Sequence, residues 1–254
     1  MRWIEAALAV TALTGLAGGA AQISRPGAPR APAAMPEPAQ PATPPRFAVV
    51  LDAAHGGSDD GARLGNGVLE KNLTLALAER LQTMLRNQGA AVVMLRTTDA
   101  DVPALNRAEI ANHAQAAACL VIHATATGSG VHLFASSLSP REASVAGTPA
   151  MSPAAATQIL PWQTAQAAYV TQSLKLEAEI DEALARAEIP VTMGRASVGP
   201  MDSLACPAVA VELAPLAPGD ATKGRAITDE RYQKTVEGAL AAAIGEWRTD
   251  RAEP

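Results

Sequence analysis

Four side chains in this sequence could together run a metal-assisted hydrolysis: His55, Glu70, His123 and Glu212. His55 stands in "LDAAHGG", between an apolar run and two glycines, and Glu70 in "VLEKN" opens a stretch with helical spacing. His123 closes most of "CLVIHA", and Glu212 sits inside "PAVAVELA", where an ionised carboxylate among valines is costly without a partner. Two imidazoles and one carboxylate around a zinc ion leave a fourth position for water, whose pKa the ion lowers to about 7. A second carboxylate can take that water's proton and hand it to a leaving amine. Each residue also has a plainer reading. A histidine after a strand is more often a hydrogen-bonded loop residue, and Glu70 could be a favourable charge at a helix N-terminus. His113 reads as a helix-surface residue. His132 lies within a strand and could face either way, and neither of these two enters the ligand set.

The four residues are spread over nearly 160 positions, so only the fold can gather them. "FAVVLDA" (47–53), "AAVVMLR" (90–96), "CLVIHA" (119–124), "GVHLFAS" (130–136) and "PAVAVELA" (207–214) read as strands, most of them buried on both faces. Helical spacing of Leu73, Leu77, Leu81, Met84 and Leu85, with Gly89 as a stop, predicts a first helix. Further helices are predicted over 104–117, from about Thr164 to Ala187, and over 230–247, where Tyr232, Val236, Leu240 and Trp247 lie on or near one face. Residues 136 to about 161 are rich in Ser, Pro and Ala and read as a long surface loop that either covers the functional edge or is an inert insertion. Strands alternating with helices imply an α/β fold with a mostly parallel sheet covered on both faces. In such a sheet, ligands bind beyond the C-terminal strand ends. His55, His123 and Glu212 all fall at such ends, and Glu70 starts a helix from the same edge.

The motifs that carry these residues resemble those of the zinc-dependent N-acetylmuramoyl-L-alanine amidases of bacterial cell walls, of the type 3 class. "DAAHGGSDDGA", "EKN" fifteen residues after the first histidine, "IHA" and "PAVAVEL" occur in the family's order, and "LRTTDADVPALNRAEIAN" is similar to its intervening strand, loop and helix. The chain departs from the family's patterns at Ala53 and Ala54 (usually Pro-Gly), Thr125 (usually Asn), and Ala214 and Pro215 (usually Gly-Phe). The resemblance covers about 47–247 and implies a three-layer αβα domain around a mostly parallel, mixed sheet of about five to six strands. It further implies zinc held by His55, Glu70 and His123, Glu212 as the general base, and cleavage of the amide between N-acetylmuramic acid and L-alanine in peptidoglycan. The partners expected are peptidoglycan and, where one exists, an activator protein. Trp162 and Arg195 are candidate substrate contacts, the first for glycan or peptide and the second for a stem-peptide carboxylate. Two other readings stay open: a non-catalytic wall-binding or regulatory module on the same fold, and a zinc peptidase acting on the stem peptide.

Composition bounds these readings. The 254 residues are 48% hydrophobic and 18% charged, which suits one domain with a substantial core. A net charge of −5 argues against a nucleic-acid binder, and 3% aromatics against broad stacking platforms. Residues 1–21 read as an export signal or an uncleaved signal anchor, which would be the chain's one link to a membrane. Eight prolines in 25–46 make 22–46 a semi-rigid linker, and 47–250 the enzymatic domain. Such a chain is expected in the periplasm or cell envelope. Cys119 begins the strand that carries His123, and Cys206 precedes the strand that carries Glu212. If those strands are neighbours, the thiols lie at the opposite edge, either bonded to each other or as two buried free thiols.

Overall fold

The computed structural model describes residues 47–140, 161–218 and 224–251. The expected export segment, the linker and the middle of the Ser/Pro-rich loop lie outside the described residues. Six strands form one sheet in the order β2-β1-β3-β6-β4-β5, where β1 is Ala48–Ala53, β2 Ala91–Met94, β3 Ala118–Ala124, β4 Val131–Ser136, β5 Val191–Ala196 and β6 Ala208–Leu213. The pairs β1/β2, β1/β3, β3/β6 and β4/β5 are parallel, and β4 runs antiparallel to β6. The sheet is therefore mixed and mostly parallel.

Helices cover both faces. On one side lie α1 (Glu70–Asn87), α3 (Val170–Arg186) and α4 (Glu230–Asp250). Leu73, Leu77, Leu81 and Leu85 recur every fourth residue along α1, which lines them up on one side of a 3.6-residue helix. They pack with Leu51, Leu120 and Val209 of the sheet. Burying each such leucine contributes about 1.5–3 kcal/mol. In α4 the expected face is buried, with Tyr232, Val236, Leu240 and Trp247 at 6% exposure or less. Its N-terminus is closed by Asp229, whose carboxylate accepts the Tyr232 N–H at 2.9 Å. The other face of the sheet packs Val50, Val121 and Ala210 against α2 (Ala104–His113) and the β5–β6 connection through Ala108, Ala111, Met201 and Leu204.

Three expectations are corrected. The helix expected from Thr164 starts at Val170; Trp162–Ala168 forms a 3-10 segment instead. Buried Gln166 causes the break, because its amide donates to the Leu204 and Cys206 carbonyls and its oxygen accepts from Ser173. The helix expected over 104–117 ends at His113, since Gln115 turns left-handed at φ 47° to enter β3. Arg195, outside every strand expected from the sequence, lies on the additional edge strand β5.

Candidate active site

β1 delivers the first histidine. The chain leaves the strand at Ala53 and turns sharply at His55, which adopts φ 64°, uncommon for a residue with a side chain. Three cationic side chains hold this turn by its carbonyls. Arg107 donates to the oxygens of Ala53 and His55, Arg96 to those of Ala53 and Ala54, and Lys71 to that of Gly57. Arg107 also pairs with Asp52, which is 1% exposed. Burial pushes the Asp52 carboxyl up, and the guanidinium beside it pulls the other way. Lys71 is itself held by Asp60 and Asp99, each at 3.0 Å.

Glu70 begins α1 and folds back over the strand ends. Its Oε2 accepts the Ala62 N–H at 2.8 Å and its Oε1 the Ala124 N–H at 3.0 Å. The same oxygens meet His55 Nε2 at 3.1 Å and His123 Nδ1 at 3.0 Å. The two imidazole rings stand edge to face, with centroids 5.3 Å apart. Gly61 closes the group from above: at φ 64° a Cβ there would lie 2.6 Å from the His55 ring and 2.7 Å from Glu70 Oε2, so only glycine fits. Burial would raise the Glu70 carboxyl, but hydrogen bonds from both histidines and two backbone amides outweigh it and hold it below the usual carboxylate range. His55 is pushed up to about 9, first by Glu70, against burial, with Asp59 adding to the rise. The point between these groups thus favours positive charge.

A metal ion fits that point. One donor atom from each of His55, Glu70 and His123 lies within 4.8 Å of the others. Nε2 of His123 is buried with no hydrogen-bond partner among the described residues. The donor set, two imidazoles and a carboxylate, is one that zinc takes in open sites. His55 Nδ1 sits 2.8 Å from Asp59 Oδ2, the kind of outer contact that sets a ligand's tautomer and ring orientation.

Glu212 arrives beside this cluster through strand register. In the parallel β3/β6 pair, His123 is directly opposite Glu212. In the antiparallel β4/β6 pair, Glu212 is opposite His132, whose Nδ1 lies 2.8 Å from Glu212 Oε2. The three side chains therefore stand in a row on one face of the sheet. All four residues singled out for chemistry meet at one edge. Trp162 is exposed at the start of the 3-10 segment, outside the metal cluster. The Arg195 guanidinium donates to the Ser136 and Leu138 carbonyls, at the C-terminal end of β4 and so at the edge away from Glu212. His113 is exposed at the end of α2. Sequence reasoning missed Asp59, Arg96 and Arg107, and left His132 outside the ligand set. Asp59 was within reach of it, four residues after His55 in "HGGSD".

A cleft of about 270 Å³ opens beside the two histidines, lined by Asp101, Pro103, Arg107 and Pro200 among others. At the other end of β3 and β6, Cys119 and Cys206 form a disulfide with Cα atoms 6.2 Å apart. Of the two thiol readings, the bonded one is realised.

A protein family described as N-acetylmuramoyl-L-alanine amidase matches residues 49–246 of the chain. The amidase AmiA of Salmonella typhimurium is 42% identical over 76 residues, 30% of this chain and 26% of that protein. The aligned stretch thus spans about a quarter of that relative's length. Among solved structures, the amidase AmiC2 of Nostoc punctiforme superposes with a TM-score of 0.56 at 20% identity, over 80% of this chain and 97% of the other. The CwlD amidase of Clostridioides difficile, solved in complex with the GerS lipoprotein, does so with a TM-score of 0.57 at 20% identity, over 80% and 99%. These likenesses establish the three-layer α/β fold.

Proposed function

Because the chain belongs to the N-acetylmuramoyl-L-alanine amidase family, we propose that it hydrolyses the amide between N-acetylmuramic acid and L-alanine in peptidoglycan, with zinc held by His55, Glu70 and His123. The observation that carries this reading is the meeting of those three donors at one sheet edge, with Glu212 in register beside His123. When bound, zinc supplies a water molecule acidic enough to attack at neutral pH and polarises the scissile carbonyl. Glu212, about a third exposed, takes the water's proton on a carboxylate oxygen and passes it to the amine nitrogen that leaves with the peptide. Asp59 keeps the His55 ring turned toward Glu70 by accepting from Nδ1. Arg107 and Arg96 hold the strained turn that presents His55. Trp162 and Arg195 are left out of the substrate contacts, since nothing in their placement ties them to this edge.

The reaction belongs outside the cytoplasm in this proposal. Residues 1–21 act as the export segment, 22–46 as the tether and 47–250 as the enzymatic domain. The disulfide supports an oxidising compartment. No helix among the described residues is long and apolar enough to cross a membrane. An activator protein is a reasonable partner to seek, given the lipoprotein bound to CwlD.

The test is hydrolysis of purified peptidoglycan with product mass spectrometry. Chelation is expected to stop the reaction and zinc to restore it, with intact stem peptides released from the glycan. Cuts within the stem peptide would replace the amidase with a peptidase. Wall binding without turnover would leave a binding module.

A further inference from the structure

His132 is the one polar side chain in contact with Glu212 among the described residues that belongs neither to the metal cluster nor to its supports. It lies on β4, between β6 and the edge strand β5 and directly opposite Glu212, and its Nδ1 lies 2.8 Å from Oε2. Both side chains are partly buried, at 18% and 30% exposure. Its strand neighbours Val131 and Leu133 are fully buried under the helices of the other face. A β-branched or aromatic residue would suit the strand better than histidine. The ring is also confined. Gly128, at φ 87°, passes so close that a Cβ there would lie 2.5 Å from His132 Cε1 and 2.7 Å from Nε2. The chain has therefore put a residue without a side chain where the imidazole needs room.

We infer that His132 is a positioning residue, whose Nδ1–H fixes the Glu212 carboxylate through Oε2 and leaves Oε1 to handle the proton. This rests on the proposed role of Glu212. A glutamate on a strand has three rotatable bonds, and freezing them costs conformational entropy. A base that samples several rotamers spends most of its time out of reach of the attacking water. A hydrogen bond to an ionised acceptor is roughly twice as strong as one between neutral groups. His132 has only two side-chain torsions, and the Gly128 wall limits them, so it can hold Glu212 in one rotamer. The proton count is unchanged. The water's proton goes to Oε1 and departs on the amine nitrogen, while His132 keeps its own Nδ1 proton throughout. His132 thus acts on the orientation of the base and not on metal binding.

The experiment compares His132→Leu, which lacks the donor, with His132→Asn, whose amide N–H can occupy the Nδ1 position. Zinc content, thermal midpoint and steady-state kinetics on peptidoglycan fragments are measured for both. His132→Val, a strand former that also lacks the donor, is read beside the leucine variant so that a folding defect peculiar to leucine does not decide the result. The expected outcome is a fall in kcat of on the order of 10²-fold for Leu and Val, with KM within about 2-fold and zinc at one per chain, and recovery of at least a third of the native kcat in Asn. In a Glu212→Gln background, His132→Leu is expected to slow the residual rate no further, because the two residues act as one unit. The inference is overturned if Leu and Val keep native kcat, if Asn is as slow as Leu, or if the loss lies in KM, zinc content or thermal midpoint. An active Glu212→Gln enzyme would instead sink the role assigned to the base, whatever the His132 variants do.

Discussion

β3 and β6 lie side by side, and their two ends have been put to opposite uses. At the C-terminal end stand His123 and Glu212, in register and partly exposed, surrounded by charge. At the N-terminal end Cys119 and Cys206 are 0% and 1% exposed and joined by a disulfide. Around the cysteines, Gln166 and Ser173 are buried with each of their polar groups matched: two carbonyls for the amide and a backbone N–H for the hydroxyl. Around the histidines the matching is incomplete. Asp52 Oδ2 and His123 Nε2 are buried without partners among the described residues. A buried polar atom without a partner costs about 1–3 kcal/mol. The histidine end thus carries unfavourable terms at Asp52 and His123, and the sulfur end carries a covalent cross-link. Preorganised chemistry and structural stability are thus separated along a single strand pair.

The sharpest way to test that division is to damage each end in turn. Glu212→Gln is expected to slow turnover by on the order of 10²–10⁴-fold while the thermal midpoint stays within about 2 °C, read by product release and calorimetry. If it also unfolds the domain, the histidine end is structural. Arg107→Met should harm both properties. It leaves Asp52 as a buried charge without its partner, a change that costs about 3–5 kcal/mol in such pairs, and frees the carbonyl of His55. Denaturant titration and zinc content measure the two effects, and an unchanged zinc content would mean that the turn holds itself.

The converse change is Cys119→Ser with Cys206→Ser. Opening a bridge across 87 residues is expected to lower stability by about 2–4 kcal/mol. Activity at 25 °C should remain within about 2-fold, because the bond lies at the edge away from His123 and Glu212. A large loss of kcat would show that the ends are coupled through the strands.

The smallest effect is expected from Glu177 on α3, whose carboxylate accepts the Ala135 N–H away from the histidines. Burial pushes its carboxyl from the ordinary 4.5 to about 7, against the Ala135 N–H and the Arg195 charge, which favour ionisation. Between pH 4.5 and 7 the unfolded chain has released this proton and the folded chain retains it. Folding stability from this group is therefore complete below about 4.5 and falls as pH rises toward 7, by on the order of 1–3 kcal/mol. Glu177→Gln should flatten that slope in denaturant titrations across the range. A slope unchanged in the variant would show that other groups set it.

Much of this architecture is legible from sequence because burial on both faces writes itself as apolar runs. β1, β3 and β6 are such runs, and α1 shows a leucine every fourth residue. β5 is not legible. "VTMGRA" follows Pro190, contains Gly194 and exposes Met193 at 54%, so neither alternation nor a continuous run marks it. It is a strand because the outer edge of β4 offers hydrogen bonds, which is a property of β4's position. The same limit explains the 3-10 segment at Trp162–Ala168, where the pull on Gln166 comes from carbonyls 38 and 40 residues away.

By itself the sequence determined which chemical groups were available and that parallel strands would bring His55, His123 and Glu212 to a common edge. Residue type and apolar periodicity are local properties, and the rule that strand ends share an edge needs only the order of elements. The tertiary structure alone decided the pairings: His132 against Glu212, Arg107 against the His55 turn, Cys119 against Cys206. Each depends on register between strands or on the approach of a distant helix, and a shift of one residue along a strand would turn every side chain to the other face.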